Sequence, residues 1–328
     1  RFIDAISEAI EISMKNHPNL VLMGQDIAEY GGAFKITEGF VEKFGKKRVR
    51  NTPLCEAAIV GSGLGLSING YKSMVEMQFA DFVTEGFNQI INNLAKTHYR
   101  WNQNADVVVR MPTGAGTGAG PFHSQSNEAW FAKTPGLKIA YPAFPDDAKG
   151  LLIQSFEDPN PVLFFEHKKL YRSLKGNVPE GFYTTPFGKA RKVKEGNELT
   201  IITYGLGVHI ALEFAKKNPE ISLDIVDLRT LIPLDTETIY ESVKKCNKVI
   251  ILHEDTLTCG FGAELSALIS EHCFEDLDAP ILRVASMDTP IPFNKKLEDQ
   301  FMPNEELAEA VDKILKYEEV GCWMSDVG

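Results

Sequence analysis

Residues 51–82 read NTPLCEAAIVGSGLGLSINGYKSMVEMQFADF and combine a helix pattern with a strand pattern. The run after Glu56 is apolar and built of small residues, which is typical of a close-packed helix, and KSMVEMQFA then predicts a strand. Glu56 is the only charged residue between positions 51 and 70. A carboxylate at the start of such a helix is either a capping group or an ion held there for chemistry.

Strand and helix patterns alternate on both sides of this stretch. FIDAISEAIEISMKNH predicts a helix with apolar residues at helical spacing, and NLVLMG a short buried strand. Downstream, DVVVRM, LKIAYP and PVLFFEH favour strands, whereas FVTEGFNQIINNLAKTHYRW, SQSNEAWFAK and DDAKGLLIQSFED favour helices. Such alternation predicts a largely parallel sheet that is covered by helices on both faces.

The second half of the chain repeats the alternation after a break. Residues 173–187, SLKGNVPEGFYTTPF, are rich in Gly, Pro and Thr and are interpreted as a linker. ELTIITYG, SLDIVDLR and KVIILHE then predict strands separated by helices. A chain of 328 residues has room for two domains, and we place them at 1–180 and 181–328. The predicted fold class is therefore α/β with two domains, each a largely parallel sheet flanked by helices.

Charge and cysteine usage narrow the function classes. Residues 1–186 carry 19 basic and 19 acidic residues, whereas residues 187–328 carry 15 and 26, so the net charge of −11 lies in the second half. A basic nucleic-acid-binding surface is not indicated. The acidic half either aids solubility or forms a docking surface for a basic partner. Cys55, Cys246, Cys259, Cys273 and Cys322 show no metal-ligand spacing, which favours free thiols in a reducing compartment rather than secretion.

Two glycine-rich stretches admit more than one interpretation. GAGTGAGPFHSQ, residues 114–125, resembles a dinucleotide fingerprint, but Pro121 and the residues after it do not continue a helix, so we reject nicotinamide binding. It is either an active-site loop that presents His123 or an ordinary surface loop. GSGLGL, residues 61–66, lies within a helix pattern, where we expect its glycines to allow another helix to approach closely.

The segment EMQFADF places Gln78 and Phe82 just after a predicted strand. Loops at the carboxyl ends of strands bind ligands in open α/β sheets, although an aromatic residue there is often part of the core. His123, His167 and His253 also follow strands or lie in loops, unlike the other histidines. No Walker, HExxH, GxSxG or nucleophilic-cysteine signature is present in the sequence, so difficult chemistry would require a cofactor.

The whole chain resembles one family. The stretch at 51–82 together with FHSQSNEAWFAKTPGLKIAYP, DAKGLLIQSFEDPNPVLFFEHKKLYR and HEDTLTCGFGAE…DTPIPF is similar to the beta subunit of the thiamine-diphosphate-dependent component of 2-oxo acid dehydrogenase complexes. TPLCE, QFAD and HSQS bring the branched-chain type nearest, with pyruvate and acetoin types next. The resemblance implies a pyrimidine-binding domain at 1–180, a transketolase-like C-terminal domain at 181–328, and an α2β2 heterotetramer.

The resemblance implies roles for individual residues. Glu56 would hydrogen-bond the pyrimidine N1′ of thiamine diphosphate, and Glu is in any case a poor helix cap, so chemistry is the favoured interpretation. Leu54 and Gln78 would line the cofactor pocket, and Phe82 would stack on the pyrimidine where branched-chain relatives often have Tyr. His123 would contact the substrate carboxylate and transfer a proton as the acyl group passes to a lipoyl arm.

A potassium site is also implied. Its donors would be Ser155, Asp158 and Asn160, joined by backbone carbonyls around Ala105, Val107 and Val108. The family often has Gly in place of Ala105 and Cys in place of Ser155. The competing interpretation of EDPNP, residues 157–161, is a simple turn.

Part of the cofactor site is missing from this sequence. The Gly-Asp-Gly…Asn motif that binds diphosphate and Mg²⁺ does not occur in the 328 residues, and in this family it belongs to the alpha chain. We therefore expect this chain to hold the pyrimidine half, to pair with an alpha subunit or a fused alpha half and a second beta chain, and to meet the acyltransferase core through its acidic domain. We expect it in the bacterial cytosol or the mitochondrial matrix.

Two further hypotheses stay open at the level of sequence. A transketolase or deoxyxylulose-phosphate-synthase relative would share the fold, but such enzymes carry both cofactor motifs in one chain. A non-catalytic assembly module of the complex would not need Glu56, Gln78 and His123. The choice among branched-chain 2-oxo acids, pyruvate and acetoin is not determined by these residues, although the branched-chain type is favoured.

Overall fold

The computed structural model describes residues 1–317, which form two compact α/β units. The first unit comprises Arg1–Gly188 and Thr230–Pro233, and the second comprises Lys189–Arg229 and the chain from Leu234 onward. Residues 174–190, which include most of the predicted linker, contain no helix or strand. The two-domain α/β fold class predicted from the alternating pattern is confirmed.

The first unit is built on a seven-stranded sheet. Its strands are β1 (Leu20–Gly24), β2 (Val49–Asn51), β3 (Lys72–Glu76), β4 (Val107–Thr113), β5 (Lys138–Ala140), β6 (Val162–His167) and β10 (Thr230–Ile232). The strand order is β10-β5-β6-β4-β3-β1-β2, and every pair is parallel except β10 with β5. All seven residues of β4 are buried, as expected for the central strand of a sheet covered on both faces.

Helices surround this sheet, and their bounds are α1 (Phe2–Asn16), α2 (Phe40–Phe44), α3 (Glu56–Ile68), α4 (Val83–Asn88), α5 (Ala95–Trp101), α6 (Ala129–Ala132), α7 (Pro145–Glu157) and α8 (Leu170–Ser173). A 3₁₀ turn, Ala80–Phe82, precedes α4, and a π-helical turn, Gln89–Leu94, joins α4 to α5. The long helix predicted for FVTEGFNQIINNLAKTHYRW is therefore present, but with a π segment in its middle.

The small residues of α3 serve close packing against two kinds of neighbour. At Gly61 the neighbour is helical, as expected, since a Cβ there would lie 3.6 Å from Gln89 Oε1 of the π-helical turn. A Cβ at Gly63 would lie 3.1 Å from Ser73 Oγ and from Val75 Cγ1, and 3.3 Å from Val107 Cγ1. Gly63 thus lets α3 approach the sheet at β3 and β4. The expected partner was another helix, and at Gly63 it is the sheet instead.

The second unit has a five-stranded sheet in the order β12-β11-β8-β9-β7. Its strands are β7 (Arg191–Lys194), β8 (Leu199–Thr203), β9 (Leu223–Asp227), β11 (Val249–Thr256) and β12 (Leu282–Ser286). Its helices are α9 (Leu206–Lys217), α10 (Thr236–Cys246), α11 (Phe261–Cys273), α12 (Lys295–Phe301) and α13 (Asn304–Leu315), with a 3₁₀ turn at Phe274–Asp276. Only β7 runs antiparallel to its neighbour among the described strands of this sheet. Its core joins the sheet to helices through Ile201, Ile225, Leu252, Ala211 and Val311.

Two further properties concern the described residues as a whole. None of the helices within residues 1–317 is long and apolar enough to cross a membrane. Cys55, Cys246, Cys259 and Cys273 are free thiols, while Cys322 lies outside the described residues.

Candidate active site

The predicted site residues gather where neighbouring strands of the first sheet end. Since β1, β3, β4 and β6 are parallel, their carboxyl ends meet along the same edge of the sheet. Gln25 follows β1, the turn Ala80–Phe82 follows β3, and the loop at 114–128 follows β4. This edge therefore carries the loops that can form a ligand site.

Glu56 is the first residue of α3 and is 7% exposed. Gln25 Nε2 donates a hydrogen bond to Glu56 Oε1 at 2.8 Å. The residue in the N-cap position is Cys55, and the helix has no side-chain capping bond. Glu56 is thus not a helix cap: its carboxylate is held by a side chain from another strand end, and its second oxygen has no partner among residues 1–317.

Gln25 is a site residue that the sequence interpretation missed. Its side chain is buried, and its Oε1 has no hydrogen-bond partner within the described chain, so Glu56 is its only side-chain partner there. Buried polar groups are normally satisfied, and an orphaned amide oxygen beside a carboxylate is typical of a place where a further polar group binds. The signal was available, because Gln25 is the first residue after the buried strand pattern NLVLMG.

Phe82 and His123 are brought together by the fold. The His123 ring lies edge-on to Phe82 at a centroid distance of 5.4 Å and to Phe79 at 4.8 Å. Phe79 and Phe82 also pack edge-to-face at 5.8 Å. Both Phe82 and His123 are half-buried, so each leaves part of its ring open to a ligand.

Helix α4 connects this ring cluster to Glu56. It begins directly after Phe82, and a Cβ at Gly86 would lie 3.5 Å from the backbone oxygen of Glu56. The absence of a side chain at Gly86 lets α4 pack against the first turn of α3. Glu56, at the start of α3, and Phe82, directly before α4, are therefore anchored to one pair of packed helices.

Leu54 and Gln78, the remaining predicted cofactor-pocket residues, differ in exposure. Leu54 is 80% exposed, and Gln78 is half-buried at the end of β3. An isolated leucine on a surface needs no explanation, but Leu54 lies two residues before Glu56. The structure thus leaves an apolar side chain uncovered beside a buried carboxylate.

The glycine-rich segment after β4 forms the loop that carries His123. Gly114, Gly116, Gly118 and Gly120 have positive φ values of 90°, 85°, 70° and 72°. Glycine adopts this left-handed region without the steric cost that other residues pay. The loop predicted to present His123 therefore exists, and its backbone requires the glycines.

A buried ion cluster lies behind this loop and is made by neighbouring strands. Arg110 donates to both oxygens of Glu166, at 2.5 and 2.7 Å, and to Glu76, while Tyr171 Oη donates to Glu166 at 2.6 Å. Burial raises the pKa of Glu76 above its ordinary value, although the Arg110 charge opposes this. Burial disfavours the charge of Arg110, but the two carboxylates outweigh that effect and raise its pKa well above the ordinary value.

The other candidate histidines are structural in character. His167 is fully buried at the end of β6, where its ring packs against Gly114. His253 is fully buried in the second unit, where it stacks on Tyr204 at 6.3 Å, and burial lowers its pKa to about 4. His253 is therefore neutral near pH 7.

At the predicted potassium site the side chains have protein partners. Asp158 Oδ1 accepts from the backbone N and the Nδ2 of Asn160, at 2.9 and 3.0 Å, and its Oδ2 pairs with Lys138. Ser155 Oγ donates to a backbone oxygen of its own helix at 2.7 Å. EDPNP thus forms the turn that was the alternative interpretation. The potassium assignment, with the carbonyls of Ala105, Val107 and Val108, stays a prediction.

Comparisons with known proteins agree over nearly the whole chain. The family "Transketolase, pyrimidine binding domain" matches residues 1–173, and "Transketolase, C-terminal domain" matches residues 188–307. The 2-oxoisovalerate dehydrogenase subunit beta of Bacillus subtilis (strain 168) is 47% identical over 94% of this chain and 96% of its own length. The pyruvate dehydrogenase E1 component subunit beta of the same organism is 40% identical over 96% of this chain and 98% of its own.

A solved structure supports the fold. A chain described as a split gene transketolase, inactive beta4 tetramer, superposes with a TM-score of 0.76 and covers 96% of this chain and 98% of its own, at 23% identity. At that level of identity the likeness concerns the fold alone.

Proposed function

The chain belongs to the family of 2-oxo acid dehydrogenase beta subunits, with its two transketolase-type domains, and from this membership we propose that it supplies the pyrimidine half of a thiamine diphosphate site. With an alpha subunit it would catalyse oxidative decarboxylation of a branched-chain 2-oxo acid and transfer the acyl group to a lipoyl arm. The observation that carries the proposal is the buried Glu56–Gln25 pair at the carboxyl ends of the parallel strands.

The residues present fit an aminopyrimidine ring. One oxygen of Glu56 is held by Gln25, and the other has no partner among residues 1–317 and can share a proton with a ring nitrogen. Gln25 Oε1 is a second acceptor, which has no hydrogen-bond partner within the described part of the chain. The half-buried ring of Phe82 offers an aromatic surface on which a flat heterocycle can stack.

The chemistry divides between the cofactor and the protein. Thiamine diphosphate, when bound, supplies the group that accepts the electrons released when the 2-oxo acid loses CO₂. Glu56 would hold or release a proton at its free oxygen, and Gln25 would keep the carboxylate from rotating away. His123, in contact with Phe82, would move a proton near the substrate carboxylate.

The partner assignments rest on composition and on relatives. The relatives are named as beta subunits, and this sequence contains no Gly-Asp-Gly motif, which supports an alpha subunit that holds the diphosphate and Mg²⁺. We propose an α2β2 assembly whose second domain, with the net charge of −11 in residues 187–328, meets a basic module of the acyltransferase core. The free thiols and the bacterial and mitochondrial relatives suit a reducing compartment.

The proposed substrate class rests on the sequence identities to the named relatives. The relative named for 2-oxoisovalerate is 47% identical and the one named for pyruvate is 40% identical, so a branched-chain acid is the first choice. The test is dye-linked decarboxylation of 2-oxoisovalerate and pyruvate with thiamine diphosphate and Mg²⁺, by this chain alone and with an alpha subunit. Activity confined to the mixture is expected, and full activity of the chain alone would contradict the half-site.

Glu56→Gln separates a catalytic subunit from an assembly module. We expect it to lower the turnover of the mixture by at least about a hundredfold, since it removes the proton-sharing carboxylate. Glu42→Gln, at an exposed glutamate of α2 in the same unit, serves as the matched control and should leave turnover unchanged. If Glu56→Gln retains full activity, the chain acts as an assembly module and the catalytic assignment is wrong.

A further inference from the structure

The loop that carries His123 is closed at its base by hydrogen bonds between its two ends. Thr113 Oγ1, at the end of β4, donates to the backbone oxygen of Gln125 at 2.7 Å, and Gly114 N donates to the same oxygen at 3.4 Å. The residues between these ends include the glycines with positive φ. His123 itself makes one described backbone hydrogen bond, from its N to Gly120 O at 3.3 Å. Its imidazole has ring contacts but no hydrogen-bond partner among residues 1–317.

Asp81 holds the end of this loop that follows His123. Its carboxylate is 5% exposed, and its Oδ1 accepts from Ser124 N at 3.2 Å, from Gln125 N at 3.1 Å and from Gln125 Nε2 at 3.0 Å. Every described hydrogen bond of this carboxylate ends on those two residues. Asp81 immediately precedes Phe82, whose ring contacts His123. Asp81 therefore fixes the position of the backbone at Ser124 and Gln125 relative to the Phe82 ring.

Lys168 holds the other end of the loop. Its Nζ donates to Gly114 O at 2.7 Å, and its backbone N donates to Thr113 O at 3.0 Å. The side chain is buried, and Nζ lies 5.9 Å from the ring centroid of Phe79, the other aromatic neighbour of His123. Lys168 follows β6, so this contact fixes the start of the loop to the neighbouring strand.

We infer that Asp81 and Lys168 are positioning residues that hold His123 against Phe79 and Phe82 by fixing the two ends of its loop. Residues 115–123 lie between the two anchors, and the glycine backbone there gives no stiffness of its own. Charge-assisted bonds from a buried carboxylate to two amides, and from a buried ammonium to a carbonyl, are stronger than the neutral bonds of a loop. The placement of His123 therefore depends on side chains outside the loop. The contacts stand by themselves, and the catalytic consequence rests on the proposed function.

Hydrogen exchange tests the anchor without reference to activity. In the assembly with the alpha subunit, Asp81→Ala should raise the exchange rates of the Ser124 and Gln125 amides by about tenfold to a hundredfold, because each loses a bond to a charged acceptor. Asp235→Ala is the matched control: Asp235 is also buried and accepts three bonds, from Ala190 N at 2.9 Å and from Thr238 N and Oγ1 at 3.3 and 2.8 Å, none of them in this loop. Unchanged protection at 124–125 in Asp81→Ala would overturn the anchor.

The position of His123 has its own measurement. Diethylpyrocarbonate modifies accessible imidazoles, so the rate of His123 modification, followed by mass spectrometry, should rise at least about threefold in Asp81→Ala and in Lys168→Met. Asp81→Asn retains an oxygen that can accept from both amides and should return the modification rate and the exchange rates towards wild type. Lys168→Met acts at the opposite end and keeps the inference testable if Asp81→Ala does not fold. Equal modification rates in wild type and both anchor variants would overturn the inference.

Turnover connects the anchors to the reaction. Asp81→Ala should lower kcat for acyl transfer by about tenfold or more while KM changes less, and Asp81→Asn should restore most of it. A freed loop with wild-type kcat would overturn the positioning role. If the wild-type assembly decarboxylates no 2-oxo acid, the proposed function fails, while exchange and His123 modification still decide whether the anchors exist.

Discussion

Replacing Arg110 by methionine is the sharpest test of the buried ion cluster beneath the site. The guanidinium is fully buried and is shared by Glu76 and Glu166, which are also buried. Methionine keeps much of the apolar stem but leaves two carboxylates without a cation. Breaking a buried ion cluster in this way typically costs about 3–5 kcal/mol, because the remaining charges lose their compensation. We expect the free energy of unfolding of the first unit to fall by that amount near neutral pH.

The pH dependence of this loss has a definite sign. Burial already raises the pKa of Glu76 in the native protein, whereas the Arg110 charge lowers it. Without Arg110, the pKa of Glu76 should therefore rise further. A carboxyl group with a raised folded pKa binds its proton more tightly in the folded state. Its contribution to stability is complete below the unfolded value and is lost as the pH rises through the folded one. Arg110→Met should therefore be destabilised more at about pH 8 than at about pH 5.

Urea unfolding of the chain, followed by circular dichroism at these two pH values, measures the effect. Arg48→Met is the matched control in the same unit, because Arg48 is half-buried and its described hydrogen bonds all go to backbone carbonyl oxygens, those of Leu20, Met14 and His17. The loss of unfolding free energy in Arg48→Met should be the same at both pH values. A cost below about 1 kcal/mol for Arg110→Met, or an equal cost at both pH values, would refute the reasoning from the uncompensated carboxylates.

Two further predictions concern the candidate site. Gln25→Leu should lower kcat/KM of the assembly about ten- to a hundredfold, because the Glu56 carboxylate loses a 2.8 Å hydrogen bond. Steady-state kinetics measure the effect, with Gln89→Leu as the control. Equal activity of the two variants would contradict the prediction. Gly114→Ala should lower turnover more than about tenfold, since a Cβ at this position would lie 2.1 Å from Nε2 of the buried His167. Gly118 has a similar φ, but a Cβ there would meet no atom within 4 Å, so Gly118→Ala should lose less turnover. Equal losses of turnover in the two variants would show that backbone strain alone is responsible.

Much of the fold could be predicted because apolar runs mark buried parallel strands. The runs DVVVRM and PVLFFEH became β4 and β6, and every residue of these strands is buried. The strand β10 was missed: Thr230–Ile232 leaves the second half of the chain to pair antiparallel with β5 in the first unit. A three-residue strand whose partner is distant in sequence has no local pattern of its own, so only the folded chain reveals it.

The predicted helix at SQSNEAWFAK failed for a physical reason that also concerns the site. Only Ala129–Ala132 is helical. The amides of Ser124 and Gln125 are bound by Asp81, and the side chain of Asn127 donates to Ala80 O at 2.9 Å. Residues that could have started a helix therefore hold the loop of His123 in place, and helix propensity alone could not show that competition.

The site residues divide in the same way. Glu56, Phe82 and His123 could be named because they lie in stretches that resemble a known family. The place of Gln25 directly after a buried strand pattern was a sequence signal, but its contact with Glu56 is visible only in the folded chain. Asp81 lies within the stretch QFADF, yet its role depends on accepting hydrogen bonds from a loop more than forty residues later in the chain. Sequence shows which residue types are present, but not which of them the fold brings together.

The exposed side chains at the site favour a second subunit on energetic grounds. Leu54 is 80% exposed beside the buried Glu56, and Phe122 is 68% exposed beside His123. Covering an exposed leucine or phenylalanine side chain contributes about 1.5–3 kcal/mol each. Both lie within two residues of a proposed site residue, so a partner that binds at the site would cover them. A partner that covers them would gain that energy, so subunit association would also complete the surroundings of the proposed site.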